Sequence, residues 1–437
     1  MKLWSSPYRR RWLLWGTIAV TFLLVNVYRL STAVIAEALM AAFDITGAQL
    51  GTLHAMFFIV YAIMQIPTGV LVDRIGPRRT ATVGAIVMNV GAAWFALADG
   101  YVAALVARFL IGLGGSVIFV SMLRFCANWY RDDEFGTMNG LSFAVGGIGG
   151  ILATTPFAVL VAATDWQTSI LGLAGVGLLV AIPTFLFVRD SPERAGFDPI
   201  EGVPEMPRLS IVDVRRYLRE VLGDSVTWVV ALLLFCTGGV NLTLFGLWGI
   251  PYVVQMYDTS VTFASTLTLL GGVGMVVGPP AIGWLSDRTG HRIEYVLVGT
   301  VLYTAVLAAI AITGRPPIAV VAFVFFLTGI AFGCFVLTYP IVQERHPSEA
   351  SGIALGTING GSLFGAAIFP TLMGGLLDAY WTGEYVGGVR VYTVAGYRMA
   401  FVLATVTGVV AVGCAAWLAY QQRMSTPEDT RSAETVR

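Results

Sequence analysis

Apolar runs of roughly twenty residues, the length at which a helix crosses a bilayer, recur along nearly all of this 437-residue chain. That recurrence limits the possible folds more than any other feature. Backbone in hydrocarbon must satisfy its own N–H and C=O groups, so only helices and closed barrels span a membrane. The ten-residue alternation of a barrel strand is absent, which leaves helices. Composition agrees, with 57% of residues hydrophobic and 12% charged, against about a quarter charged in a soluble domain.

Twelve spans are expected, at 12–41, 47–72, 79–98, 101–129, 135–164, 167–188, 225–256, 262–285, 293–313, 317–343, 349–378 and 395–421. Arg9, Arg10 and Arg11 precede a first run too long for a signal-peptide core, so it is read as a retained helix. A polar stretch carrying Pro192, Pro199, Pro204 and Pro207 separates six spans from six. Within it, Leu209 to Leu222 has the pattern of an amphipathic surface helix. The expected fold is an all-α membrane protein, twelve transmembrane helices in two pseudo-symmetric six-helix bundles. The expected divisions are residues 1–188, a central loop 189–224, residues 225–423 and a disordered tail 424–437.

One phrase occurs twice. Gly69-Val-Leu-Val-Asp73-Arg74-Ile-Gly76-Pro-Arg78-Arg79 returns as Gly283-Trp-Leu-Ser-Asp287-Arg288-Thr-Gly290-His291-Arg292, each time between two apolar runs. Gly136-Thr-Met-Asn139-Gly140 opens the fifth span and Gly356-Thr-Ile-Asn359-Gly360 the eleventh. The aspartates are 214 residues apart and the asparagines 220. Two landmarks at nearly one offset imply two related halves, the architecture of a secondary transporter.

Charge sets the orientation. Of 26 Lys and Arg residues, Arg315, Arg390 and Arg398 fall opposite the paired loops, and Arg29, Arg108 and Arg124 fall inside spans. The rest lie on the loop side, which the positive-inside rule makes cytoplasmic. Both termini are therefore expected in the cytoplasm, with the chain multi-pass in the plasma membrane. Net charge is zero, with no basic stripe for nucleic acid. Cys126, Cys236, Cys334 and Cys414 stand singly in apolar runs, a pattern of core packing and not of metal or disulfide. No nucleophile–base pair, metal spacing or phosphate-binding loop argues for an enzyme.

Gly69-x-x-x-Asp73-Arg74-x-Gly76-x-Arg78-Arg79 resembles the signature of the major facilitator superfamily, and Arg108-Phe-Leu-Ile-Gly112-Leu-Gly114-Gly115 resembles its fourth-span motif. The likeness runs from residue 11 to 423. It implies that Asp73 braces the facing half near the start of the eleventh span, where a helix N-terminus favours negative charge. Gly69 and Gly76 would allow close helix approach and a tight turn. Arg74, Arg78 and Arg79 would hold the loop side closed and anchor to headgroups, although positive-inside anchoring alone also accounts for arginines there. Arg108 is read as a structural or gating arginine. Gly283, Asp287, Arg288 and Gly290 are the matching positions of the second loop.

A charge inside a span costs on the order of 3 kcal/mol by insertion scales. Arg29 lies about 27 Å along the first helix from Arg11 at 1.5 Å per residue, too deep to snorkel. It needs an anion, either Glu37 or the carboxylate or phosphate of a substrate, which a guanidinium grips with two hydrogen bonds. Arg124 stands nearer the loop side and could snorkel. Tyr28-Arg29, Tyr61-Ala-Ile-Met-Gln65-Ile-Pro67 and Arg124-Phe-Cys-Ala-Asn-Trp129-Tyr130 resemble the anion:cation symporter branch, which implies that Arg29 and Arg124 hold a substrate anion. Many proton-coupled members carry an aspartate where Tyr28 stands, so a coupling ion, H+ or Na+, stays open, as do exchange and facilitated diffusion. Glu37 and His54, the other titratable candidates in the first two spans, are read as lying near the outer surface.

Tyr61 and Gln65 share one helix face at i, i+4. Asn241, Trp248 and Tyr252 lie on the seventh span, where Gly249 and Pro251 suggest a bend, and Tyr339 and Asn359 continue the polar set. Each is either an interhelical hydrogen bond or a ligand contact. The expected function is alternating-access transport of a small organic anion (a carboxylate, sugar acid or organophosphate) by a monomer in the lipid bilayer, without a cofactor. Efflux of amphipathic compounds is the runner-up, favoured if the cavity is mostly aromatic and Arg29 pairs with Glu37. A transporter-like ligand sensor is third, and the short tail argues against it.

Overall fold

The computed structural model describes residues 6–203, 211–347 and 350–425. The first span consists of α1 (Pro7–Leu30), a 3-10 turn at Ser31–Ala33 and α2 (Ala36–Phe43). Helices α3 (Gly47–Ile75) and α4 (Pro77–Ala96) follow, then α5 (Tyr101–Ser116) with α6 (Ile118–Trp129). The first half closes with α7 (Asp132–Leu152), α8 (Thr155–Ala163) and α9 (Trp166–Phe187). After the central loop comes α10 (Ile211–Gly223), the expected amphipathic helix, whose residues 209 and 210 lie outside the described residues. The second half holds α11 (Ser225–Thr243), α12 (Gly249–Tyr257), α13 (Val261–Thr289), α14 (Arg292–Thr313), α15 (Ile318–Val336), α16 (Thr338–Gln343), α17 (Ser351–Ala379) and α18 (Val394–Ser425). The expected disordered tail lies outside the described residues beyond Ser425.

Among the described residues, eleven helical runs are long and apolar enough to cross a membrane. The twelfth is α4, whose apolar character is diluted by Arg78, Arg79, Thr80, Thr82 and Asn89, and which packs between α5 and α9. Side-chain oxygens cap the starts of several helices, as orphan amides require. Thr46 accepts from the Gln49 N–H and Gln49 reciprocates, Asp165 accepts from Thr168, and Ser260 accepts from Phe263. Interruptions fall in phase. The first, fourth, seventh and tenth spans break at Ser31–Ala33, Val117, Leu244–Trp248 and Leu337, and the fifth breaks besides at Ala153–Thr154. A break at every third span fits repeats nested within each half. In the seventh span the break is a π-helical turn at Leu244–Trp248, just before the Gly249–Pro251 bend the sequence suggests.

One element was not foreseen. Between α17 and α18 an antiparallel hairpin forms from β1 (Trp381–Val386) and β2 (Val389–Tyr392). Its turn is Gly387–Gly388, with φ of 60° and 82°, the conformation that two-residue hairpin turns require.

The halves meet at the hairpin end. Hydrogen bonds join Gly47 and Ala48 to Asp378, Thr52 to Thr371, Ser265 to Thr155 and Gln255 to Glu37. At the loop end, among the described residues, a Cβ built on Gly69, Gly136, Gly140, Gly283, Gly356 or Gly360 meets nothing within 4 Å. The space between the halves opens toward the paired loops.

Candidate anion site and gates

Arg29 ends the last full turn of α1, where the helix tightens into the Ser31–Ala33 turn. Its guanidinium lies 5.2 Å above the Phe58 ring centroid of α3, a cation–π contact. The Nε has no hydrogen-bond partner, and among the described residues no carboxylate pairs with the guanidinium. The phenols of Tyr61, from its own half, and Tyr339, from the other, lie near it, as does His54. Tyr339 donates to Asn359 Oδ1 at 3.2 Å. Arg29, Tyr61, Tyr339 and Asn359 thus meet between the halves. Glu37 is not its partner: that carboxylate accepts from Gln255 Nε2 at 3.3 Å. Gln65 is half-buried one turn beyond Tyr61 on α3.

Three neighbours explain why Arg29 stays in place. Tyr28 turns into the first half and donates to Asn89 Oδ1 at 2.9 Å. Arg108, fully buried, donates to the Tyr28 carbonyl at 2.9 Å and to Thr32 Oγ1, with Phe95 4.6 Å beneath its guanidinium. It therefore holds the Tyr28 carbonyl and the Thr32 hydroxyl, which flank Arg29. His54 is interior, not near the outer surface: it is 1% exposed, 5.2 Å from the Phe58 ring, and its Nε2 has no partner. It faces Gly246 in the π-helical turn of the other half.

Not every expected lining residue reaches this place. Tyr252 is fully buried, donates to the Gly314 carbonyl at 3.1 Å and packs on Tyr397 and Phe401. Trp248 donates from Nε1 to the Pro370 carbonyl at 3.0 Å. Both are committed to the core of the second half: Trp248 ends the π-helical turn, and Tyr252 follows it, where the extra residue of such a turn has shifted the register. Asn241, before that turn, is 1% exposed with neither amide atom partnered.

The paired loops show a different correction. Among the described residues Asp73 has no hydrogen bond or ion pair to the facing half; its Oδ1 lies 3.3 Å from Arg124 Nε in its own half. Arg124 therefore pairs with a carboxylate of its own half. Gly69 has open space where close packing was expected, as does Gly283. Gly76 does need its hydrogen: φ is +92°, and a Cβ would lie 2.7 Å from the Asp190 carboxyl. That carboxyl accepts from the Arg78 N–H at 2.9 Å, while Arg78 Nε donates to the Phe185 carbonyl at 2.8 Å. Arg78 so ties its loop to the end of α9. Arg74 is exposed. In the second loop Gly290 closes α13 at φ +72°, Arg288 lies 4.4 Å over Trp284, and Asp287 lies 3.6 Å from Arg292.

At the hairpin end the cluster that sequence reasoning missed centres on Asp378 and Gln255. Gln255 Nε2 donates to Glu37 and to the Arg390 carbonyl, while its Oε1 accepts from the Tyr392 N–H and the Tyr397 hydroxyl. One amide therefore joins α2, α12, β2 and α18. No group of three or more potential metal ligands exists among the described residues.

Residues 14–370 and 242–436 match the Major Facilitator Superfamily. The chain belongs to that superfamily. It is a membrane transporter and not an enzyme. It is 24% identical over 398 residues to the probable sulfoacetate transporter SauU of Cupriavidus necator, covering 86% of this chain and 89% of that one. It is 24% identical over 358 residues to the hexuronate transporter of Bacillus subtilis, covering 78% and 82%. In fold it is similar to a bacterial homologue of the human lysosomal transporter Spinster, solved inward-facing and unoccupied, with a TM-score of 0.76 at 16% identity over 93% of this chain and 96% of that one.

Proposed function

We propose that this superfamily member is a secondary active transporter that moves a small organic anion across the plasma membrane by alternating access, with Arg29 as the charge partner. The observation that carries the reading is the guanidinium of Arg29, deep between the halves and without a carboxylate among the described residues. A buried unpaired charge is costly, and a substrate carboxylate, sulfonate or phosphate would supply two hydrogen bonds in the plane of the fork. The named cargoes of the sulfoacetate and hexuronate relatives are organic anions and support the class. Tyr61, Tyr339, Asn359, Gln65 and Asn241 are the polar groups proposed to surround the neutral part of the cargo. Both termini and the paired loops are assigned to the cytoplasm by the excess of arginines there.

In this cycle the anion leaves toward the cytoplasm from the state described above, and the halves then rock so that the hairpin end opens. Efflux of amphipathic compounds loses one of its two conditions, since Arg29 and Glu37 do not pair. The test is thermal stabilisation of purified protein by a panel of monocarboxylates, dicarboxylates, sugar acids and organophosphates. Stabilisation by an anion in the wild type, abolished in Arg29→Ala, is the expected result. Stabilisation by hydrophobic cations alone would overturn the reading.

A further inference from the structure

Helices α3 and α17 run antiparallel across the join between the halves, and each carries an aspartate at its C-terminal end. Asp378 is the penultimate residue of α17. Its two oxygens accept from the first two amides of α3, Gly47 N–H to Oδ1 and Ala48 N–H to Oδ2, both at 2.8 Å. Thr46 takes the next orphan donor, the Gln49 N–H, so this helix start is capped jointly by its own half and by the opposite one. The hairpin sits over the carboxylate: the Tyr392 hydroxyl donates to Oδ1 at 3.1 Å, and Arg390 Nη1 lies 3.6 Å away. Just below, Gly47 meets the Gly374 backbone, Gly51 meets Pro370, and Thr52 Oγ1 lies 3.3 Å from Thr371 Oγ1.

The other end of the same pair is its mirror. Asp73 lies two residues before the end of α3 and is held by Arg124. The N-terminus of α17 begins after Ala350, which offers no side-chain cap. We propose that Asp378 is the outer latch of the transport cycle, the counterpart of Asp73 on the loop side. Each carboxylate reaches from the C-terminal end of one helix to the N-terminus of the other, and only one is engaged at a time. A carboxylate at a helix start gains from both the free amides and the helix dipole. Rigid halves cannot bring both ends of two long helices together at once, so engaging one latch requires releasing the other. In the conformation described here the outer latch is made, while Arg124 occupies Asp73.

The proposal uses the membrane orientation assigned above, but its test needs no cargo and so fails or succeeds apart from the anion reading. The reporter is Thr371→Cys, placed at the outer closure; the native cysteines are buried. Cells are treated from outside with a membrane-impermeant maleimide. Adding Asp378→Ala should raise the labelling rate about fivefold to thirtyfold, the population change for removing a charge-to-helix-terminus contact of this class. Asp378→Asn, which keeps one acceptor, should fall between. Tyr392→Phe leaves the carboxylate in place and should give a smaller rise, which guards against misfolding of the alanine variant. Unchanged labelling in Asp378→Ala and Tyr392→Phe, with both proteins monodisperse, would overturn the latch. A rise seen only with reagent supplied from inside would overturn the orientation that makes it outer.

Discussion

Arg29 shows what a single residue discloses when its solvent is hydrocarbon. Its insertion cost made it conspicuous before any geometry was known, and the fold adds that no carboxylate of the described chain neutralises it. Arg29→Lys keeps the charge but loses the fork. Partial anion binding in that variant, with none in Arg29→Ala, is expected by equilibrium binding or counterflow in liposomes; normal transport by both would remove the anion assignment. Position 28 yields a second prediction. Tyr28 makes a neutral hydrogen bond to Asn89, so Tyr28→Phe should cost about 1–3 kcal/mol, the range for leaving a buried acceptor unpaired. Chemical unfolding would measure this loss, and the pH dependence of uptake should be unchanged. Asp224 caps α11 outside the spans and contacts Thr227, Arg345 and His346. Desolvation pushes its carboxyl up, yet hydrogen bonds from Arg345 and Thr227 outweigh this and hold it below the ordinary value of 3.8. A depressed pKa stabilises the fold above that value, and the contribution disappears as pH falls through the folded-state value. Melting curves should therefore show an acid-sensitive loss below about pH 4 that Asp224→Asn lacks, the variant being already less stable at pH 7. What the sequence could not disclose at this scale was direction. Tyr252 and Arg29 are both polar and within spans, but only the π-helical turn decides that Tyr252 faces its own half.

At the scale of elements, the helices were legible because hydrophobic runs bounded by Thr46, Asp165, Asp224 and Ser260 mark both length and start. The hairpin was legible in principle. Gly387-Gly388 between Trp381–Val386 and Val389–Tyr392 is a two-residue hairpin signal, concealed by its place in the short connection between the last two spans. Breaks within spans were less accessible, since a π-helical turn has no residue signature comparable to proline. The crossing of α3 and α17 gives the prediction for this scale. A Cβ on Gly51 would overlap the Pro370 backbone, and backbone cannot yield as a flexible side chain can. Gly51→Val should therefore keep the hairpin end from closing, raise outside labelling of Thr371→Cys and abolish turnover, while leaving the melting temperature of each half's packing nearly unchanged. Normal closure in this variant would mean that the crossing relaxes more readily than its contacts imply.

For the whole molecule, the duplicated loop and the count of arginines already implied two halves and a side, whereas the state of the gates had to come from three dimensions. Asp73 is the same residue whether it braces α17 or rests on Arg124, and only the position of the halves distinguishes the two. The mirrored aspartates carry a consequence for heredity. If the cycle depends on the balance between two ends of one helix pair, a lesion at Asp378 leaves the cargo site intact and merely biases the machine outward. A second lesion at the opposite end, such as Asp73→Asn, would bias it back. Selection for regained growth on the transported compound in an Asp378→Asn strain should then recover suppressors at Asp73 and elsewhere along the loop-side ends of α3 and α17, about 40 Å from the first mutation at 1.5 Å per helical residue. Two sites with no shared contact would then mutate as partners.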